Sequence, residues 1–206
     1  MNINGIVKLN TGELIGNRVF ISKLKTARKI KVYENRPQID IEVTINENEK
    51  FILEPHHNTE IYDQLYISWE NIMENHMNEF SNLERLVIES RNPYEWTWDL
   101  NVDLPPSLTY LSIPIIPTVN RMTNRMTGVT TLEINANLVT NDDDEYDINR
   151  YDEYSNITTL KIHIHEDNVE ESEKLTRLSA NLKTKFTKLQ RLILWDMETD
   201  EPIVVV

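Results

Sequence analysis

The pair of residues best spaced for chemistry is His163-Ile-His165, because alternate positions of an extended strand put both imidazoles on one side, as a metal site requires. Spacing fixes no third ligand, so they are read as surface histidines flanking Ile162 and Ile164. His56 and His57 adjoin each other and are read as loop residues. Residues 141–153 carry seven acids and one base, but they lack the central glycine and correctly offset terminal glutamate of a calcium loop. That run reads as a surface insertion. Trp96-Thr-Trp98 has the residue types of a sugar-stacking or docking patch, and two aromatics covering an apolar edge is the preferred reading. The absence of cysteine removes thiolate nucleophiles, disulfides and zinc-thiolate sites together. Gly5, Gly12, Gly16 and Gly128 are too scattered to cradle a phosphate, and neither a nucleophile elbow nor a zincin helix occurs. No cofactor or metal is expected, and an enzyme is the least supported class.

The elements that would position these side chains are written in a recurring phrase: an aliphatic residue, two or three others, then aliphatic-x-aliphatic. Its six copies are Ile61–Ile67, Leu83–Ile88, Leu108–Ile113, Val129–Ile134, Ile157–Ile162 and Leu189–Leu194. The central aliphatics stand at 65, 86, 111, 132, 160 and 192, steps of 21 to 32 residues that suit one turn of a solenoid. Connectors follow the phrases. Ile72, Met73, Met77 and Phe80 recur at helical spacing, as do Val119, Met122 and Met126. The connector from Asn168 begins near a capping box and then stripes Leu175, Leu178, Leu182 and Phe186.

Residues 1–55 read as β-rich, with strands over Ile6–Leu9, Arg18–Leu24, Lys29–Tyr33, Ile39–Ile45 and Lys50–Leu53. They form either a β-rich N-terminal cap, which a solenoid needs to cover its first apolar end, or degenerate repeats, since Ile30-Lys-Val32 echoes the phrase. Residues 56–206 form the irregular solenoid. The closing Pro202–Val206 reads as a final strand completing the sheet.

Pleating then assigns the outer face. In aliphatic-x-aliphatic the aliphatics point inward, so the intervening and adjacent residues point out. These include Tyr66, Arg85, Val87, Tyr110, Glu133, Lys161, His163, Arg191 and Trp195, with Ser112 and Ile193 among their neighbours. Tyr, Trp and Arg are the residue types enriched at contact centres, so these nine are the candidate partner-binding residues. An ordinary solvated sheet face fits the same pattern.

The phrases resemble the leucine-rich repeat family, most of all in Leu104-Pro-Pro-Ser-Leu108-Thr-Tyr-Leu111-Ser-Ile113, with its leucine-proline lead-in followed by L-x-x-L-x-L. Asn71, Asn92 and Asn137 stand near the place where that family keeps a turn asparagine. The likeness spans roughly residues 57–200; its period is irregular, and Ile and Val replace many leucines. It implies an α/β solenoid with parallel strands on one face, helices and irregular segments on the other, and protein binding through the strand face.

Length and composition agree with one sizeable core: 206 residues, 39% hydrophobic, with too few Gly and Pro for a linker-rich chain. No apolar run is long enough to span a bilayer, and the first residues lack the layout of a secretory signal, so a cytoplasmic location without membrane contact is expected. The net charge of −13 repels phosphate backbones and makes direct nucleic-acid binding unfavourable. The Asn-, Ile- and Lys-rich composition fits an AT-rich coding genome, such as a virus's or a protist's. The expected function is a non-enzymatic interaction or scaffold module with a protein partner. The alternatives are a structural component of a larger, viral assembly and an acidic inhibitor that imitates nucleic acid.

Overall fold

A strand with aliphatic side chains at every second position is stable only where that face is covered. Every described copy of the phrase meets this condition. The computed structural model describes residues 2–3, 6–9, 24–35, 38–53, 77–90, 104–114, 126–134, 156–164, 179–180, 182–196 and 201–205. They form one eleven-stranded sheet. Its strands are β1 (Asn2–Ile3), β2 (Ile6–Leu9), β3 (Lys29–Asn35), β4 (Gln38–Asn46), β5 (Glu49–Leu53), β6 (Arg85–Ser90), β7 (Tyr110–Ile113), β8 (Thr131–Ile134), β9 (Thr159–Ile164), β10 (Arg191–Asp196) and β11 (Glu201–Val205). The spatial order is β1-β2-β5-β4-β3-β6-β7-β8-β9-β10-β11. From β3 through β6 to β10 every pairing is parallel, while β3-β4-β5 is an antiparallel meander and β11 returns antiparallel on β10. The result is a sheet-rich, mostly parallel fold.

Register places the central aliphatics side by side. Ile30 pairs with Leu86, Leu86 with Leu111, Leu111 with Leu132, Leu132 with Leu160 and Leu160 with Leu192. All six are at most 1% exposed. Val32, Ile88, Ile113, Ile134, Ile162 and Leu194 form a second buried row. The first aliphatics Leu83, Leu108, Val129 and Ile157 form a third, together with Ala27. Each fully buried Leu or Ile contributes about 1.5–3 kcal/mol of transfer free energy. Sharing these rows couples each strand to its neighbours.

The strands begin from a repeated turn. Backbone N–H groups of Ala27, Leu83, Leu108, Val129 and Leu189 donate to the carbonyls of Leu24, Phe80, Pro105, Met126 and Phe186, three residues back. The next carbonyl along the chain then accepts two N–H groups from the following strand. Arg28 accepts from Glu84 and Arg85, Glu84 from Thr109 and Tyr110, Thr109 from Thr130 and Thr131, Thr130 from Thr158 and Thr159, and Thr158 from Gln190 and Arg191. Thr109, Thr130 and Thr158 each add a hydroxyl donated to the same carbonyl, at 3.2, 3.3 and 3.2 Å. This belt satisfies the polar backbone at the strand starts.

The turns stack closely. Ser107 Oγ donates to the Leu83 carbonyl at 2.9 Å, and Asn156 Nδ2 to the Thr127 carbonyl at 3.0 Å. Gly128 sits where a Cβ would lie 2.3 Å from the Pro106 carbonyl oxygen, so no larger residue fits without moving backbone. Between β4 and β5, the Asn46 side chain accepts from the Asn48 N–H at 2.9 Å and closes a two-residue turn.

Several expectations change here. The neighbour of β6 on its near side is β3, so the rung before Leu86 is Ile30; the phrase Ile61–Ile67 lies outside the described residues. The strands before residue 55 and those after it belong to one sheet, as either a β cap or degenerate repeats would allow. Leu24 lies in a helical turn rather than at the end of a strand, because the chain must bend there to start β3. Met126 opens the turn ahead of β8 and is not helical. Within the connector over 70–80 the described part is a 3-10 turn, Met77–Glu79, which buries Met77. Residues 179–180 and 182–185 are helical, as the spacing of Leu182 and Phe186 requires, and both side chains are buried. Asn71, Asn92, Asn137, Leu175, Leu178, Trp96, Trp98, residues 141–153 and residues 18–23 lie outside the described residues. Among the described residues, no helix is long and apolar enough to cross a membrane.

Candidate partner-binding face

Glu133 is the middle residue of Leu132-Glu133-Ile134, so pleating turns its side chain away from the buried row, onto the outer face of β8. Three donors from two neighbouring strands converge on it. The Tyr110 hydroxyl, from β7, donates to Oε2. From β9, Lys161 Nζ donates to Oε1 at 3.0 Å and His163 Nε2 lies 2.7 Å from the same oxygen. An ionised carboxylate only accepts, so the Nε2 nitrogen carries the proton in this contact. The Glu133, His163 and Lys161 side chains are 13%, 17% and 24% exposed, which places the network well below an ordinary wet surface.

Burial alone would raise the Glu133 carboxyl. The hydrogen bonds from His163, Tyr110 and Lys161, with the Lys161 charge, outweigh it and hold the group down at about 2. Tyr110 moves the other way. Burial, its bond to Glu133 and that carboxylate's charge raise the phenol above its ordinary value, and Arg85 opposes the rise only in part. Tyr110 therefore stays a neutral donor, and Glu133 stays ionised. A carboxylate whose oxygens are taken by three donors and which binds a proton only near pH 2 is a structural anchor, not a base poised for neutral pH.

Aromatic contacts extend the network at both ends. The Arg85 guanidinium, from β6, lies 3.9 Å from the Tyr110 ring centroid. Lys161 Nζ lies 4.3 Å from the Trp195 ring centroid, and the His163 and Trp195 rings are 6.5 Å apart at 43°. The Arg85–Tyr110 and Lys161–Trp195 separations are cation–π distances. Arg85, Tyr110, Glu133, Lys161, His163 and Trp195 thus form one chain of contacts across five adjacent strands.

The remaining candidates fall around it. Val87 is half-buried on β6 and pairs in register with Lys31 and Ser112. Arg191 is exposed at the start of β10, and Tyr66 lies outside the described residues. Ser112 has the outward position pleating gave it but is only 1% exposed. Its short side chain sits in the same register row as Val87 and Glu133. Lys31 was not singled out from sequence; it pairs with Glu89 at 2.9 Å. The adjacent aliphatic-x-aliphatic phrases gave the outward positions of both residues, but only the β3–β6 register shows that they meet.

Among the described residues, no group of three His, Cys, Asp or Glu side chains is placed to hold a metal ion. An open hollow of about 400 Å³ lies at the turn end of the sheet, lined by Arg28, Glu84, Ser107 and neighbouring turn residues. Its cation is already taken: Arg28 grips both Glu84 oxygens, at 2.7 and 2.9 Å. Comparison of the chain with protein-family models, curated proteins and solved structures finds no match.

Proposed function

We propose that the chain is a repeat-built arc of the leucine-rich-repeat kind and serves as a non-enzymatic interaction or scaffold module, docking a protein partner on the outer face of β6–β10. The observation that carries this reading is the contact chain from Arg85 to Trp195. It brings two aromatics and an arginine, the residue types that dominate binding energy, onto one face. Their rotamers are held by each other before any partner arrives. That lowers the cost of about 0.5–1.5 kcal/mol for each side chain a complex would otherwise immobilise. The laddered rows of Leu86, Leu111, Leu132, Leu160 and Leu192 support the arc, since each strand is covered by sharing a core with the next.

The test is capture from native host extract with four tagged proteins: wild type, Trp195→Ala, Arg85→Ala, and Lys183→Ala as an exposed control on the helical connector. The wild type and the control should retain a common partner that the two face variants lose, with all four melting cooperatively. Equal retention by all four would remove the strand face as the docking surface.

A further inference from the structure

Resting on that docking-face reading, we infer that the face selects a partner segment rich in carboxylates. The register of the parallel strands lines up their first outward residues in one row: Lys29, Arg85, Tyr110, Thr131, Thr159 and Arg191. The row holds three cations, three hydroxyls and no acid. Among the described residues no carboxylate pairs with Lys29, Arg85 or Arg191, and all three are exposed. The second and third rows neutralise themselves, because Lys31 is taken by Glu89 and Lys161 by Glu133.

Counting outward residues of β3 and β6–β10 with described side chains, five cations face two carboxylates, a net of +3 on a chain of −13, which leaves −16 elsewhere. Among these outward residues positive charge is in excess. Screening over about 8 Å at physiological salt limits how far acids beyond that distance can cancel the row. Strand spacing of roughly 4.8 Å puts Arg85 and Arg191, four strands apart, about 19 Å from each other. An extended peptide of about six residues spans that distance, with carboxylates at its ends and the hydroxyls of Thr131 and Thr159 beneath its middle. A nucleic acid, charged at every nucleotide, has to extend beyond the three cations of the row on a chain whose net charge is −13. A short acidic protein segment does not have to.

The experiment measures fluorescence anisotropy of labelled octaglutamate, octaglutamine and an oligothymidylate of equal length, in low and high salt. Octaglutamate should bind the wild type roughly tenfold more tightly than octaglutamine, more tightly than the oligothymidylate, and less well as salt rises. Arg85→Glu with Arg191→Glu should weaken it by roughly tenfold. Lys29→Glu with Arg191→Glu, which leaves the Arg85–Tyr110 contact in place, should do the same. Octaglutamate bound no better than octaglutamine, or unaffected by both charge reversals, overturns the inference. Tighter binding of the oligothymidylate overturns it in favour of phosphate polymers. A photo-cross-linking residue at Thr159 separates this from the parent reading: a native partner that cross-links equally to the wild type and the charge-reversed protein preserves the docking face and refutes the acidic preference.

Discussion

Replacing Glu133 by glutamine keeps the shape of the side chain and removes the charge on which the Tyr110, Lys161 and His163 contacts depend. The native carboxyl is held at about 2 against an ordinary 4.5, so folding favours the ionised form. At about 1.36 kcal/mol per pKa unit this corresponds to an upper figure near 3 kcal/mol, and partial wetting of the network brings the expectation to about 2–3 kcal/mol. Because the folded value lies below the unfolded one, the contribution is complete above pH 4.5 and disappears as pH falls toward 2. Urea unfolding of the wild type and Glu133→Gln at pH 7, 4.5 and 3.5 reads it as a difference, so that carboxylates titrating in both proteins cancel. The gap should be about 2–3 kcal/mol at pH 7, hold to about pH 4.5 and narrow below it. A gap under about 0.5 kcal/mol at pH 7, or one that does not change with pH, would refute the reasoning.

Leu132→Ala, at a site 1% exposed in the middle of the ladder, should cost about 2–5 kcal/mol in urea unfolding, and a cost near zero would mean the row is not a shared core. Gly128→Ala forces a Cβ against the Pro106 and Leu108 carbonyl oxygens, which are backbone and cannot swing away; a loss of about 1–3 kcal/mol is expected by thermal melting. Thr130→Val keeps volume but removes the hydroxyl donated to Thr109, in a partly wet belt, so the loss should stay within about 1.5 kcal/mol.

What the sequence made legible follows from period. Alternation is local, so it named the buried residues of β6–β10 and the outward position of Glu133 without knowledge of the fold. Six of the nine candidate face residues join one contact network for the same reason. Partner choice between strands is not local. Nothing in Ile30-Lys-Val32 says that it lies beside Leu86, with 53 residues of chain between Val32 and Leu86, so its pattern alone fits a cap or a repeat and gives no place in the ladder. The convergence of three donors on Glu133 also depends on register, which sets Tyr110, Glu133 and Lys161 on neighbouring strands. The carbonyl belt left a signal that was there to be found: Thr109, Thr130 and Thr158 occupy one position in three phrases. Gly128 left another, as a lone glycine two residues into a turn whose counterparts hold Ser107 and Asn82. The connectors stayed poorly legible because short apolar stripes fit a 3-10 turn, a bend or a helix equally well.

A chain without cysteine allows the ladder to be read by introduced disulfides, one pair at a time. Thr131 and Thr159 are register partners on β8 and β9, within the Cα separation of about 4.4–6.8 Å that a disulfide spans, whereas Thr131 and Arg191 are two strands apart. Mild oxidation of Thr131→Cys/Thr159→Cys should close an intramolecular bond in the folded protein, and Thr131→Cys/Arg191→Cys should stay reduced. Equal oxidation of the two pairs, or bonding only in the second, would contradict the laddered sheet on which the docking face depends.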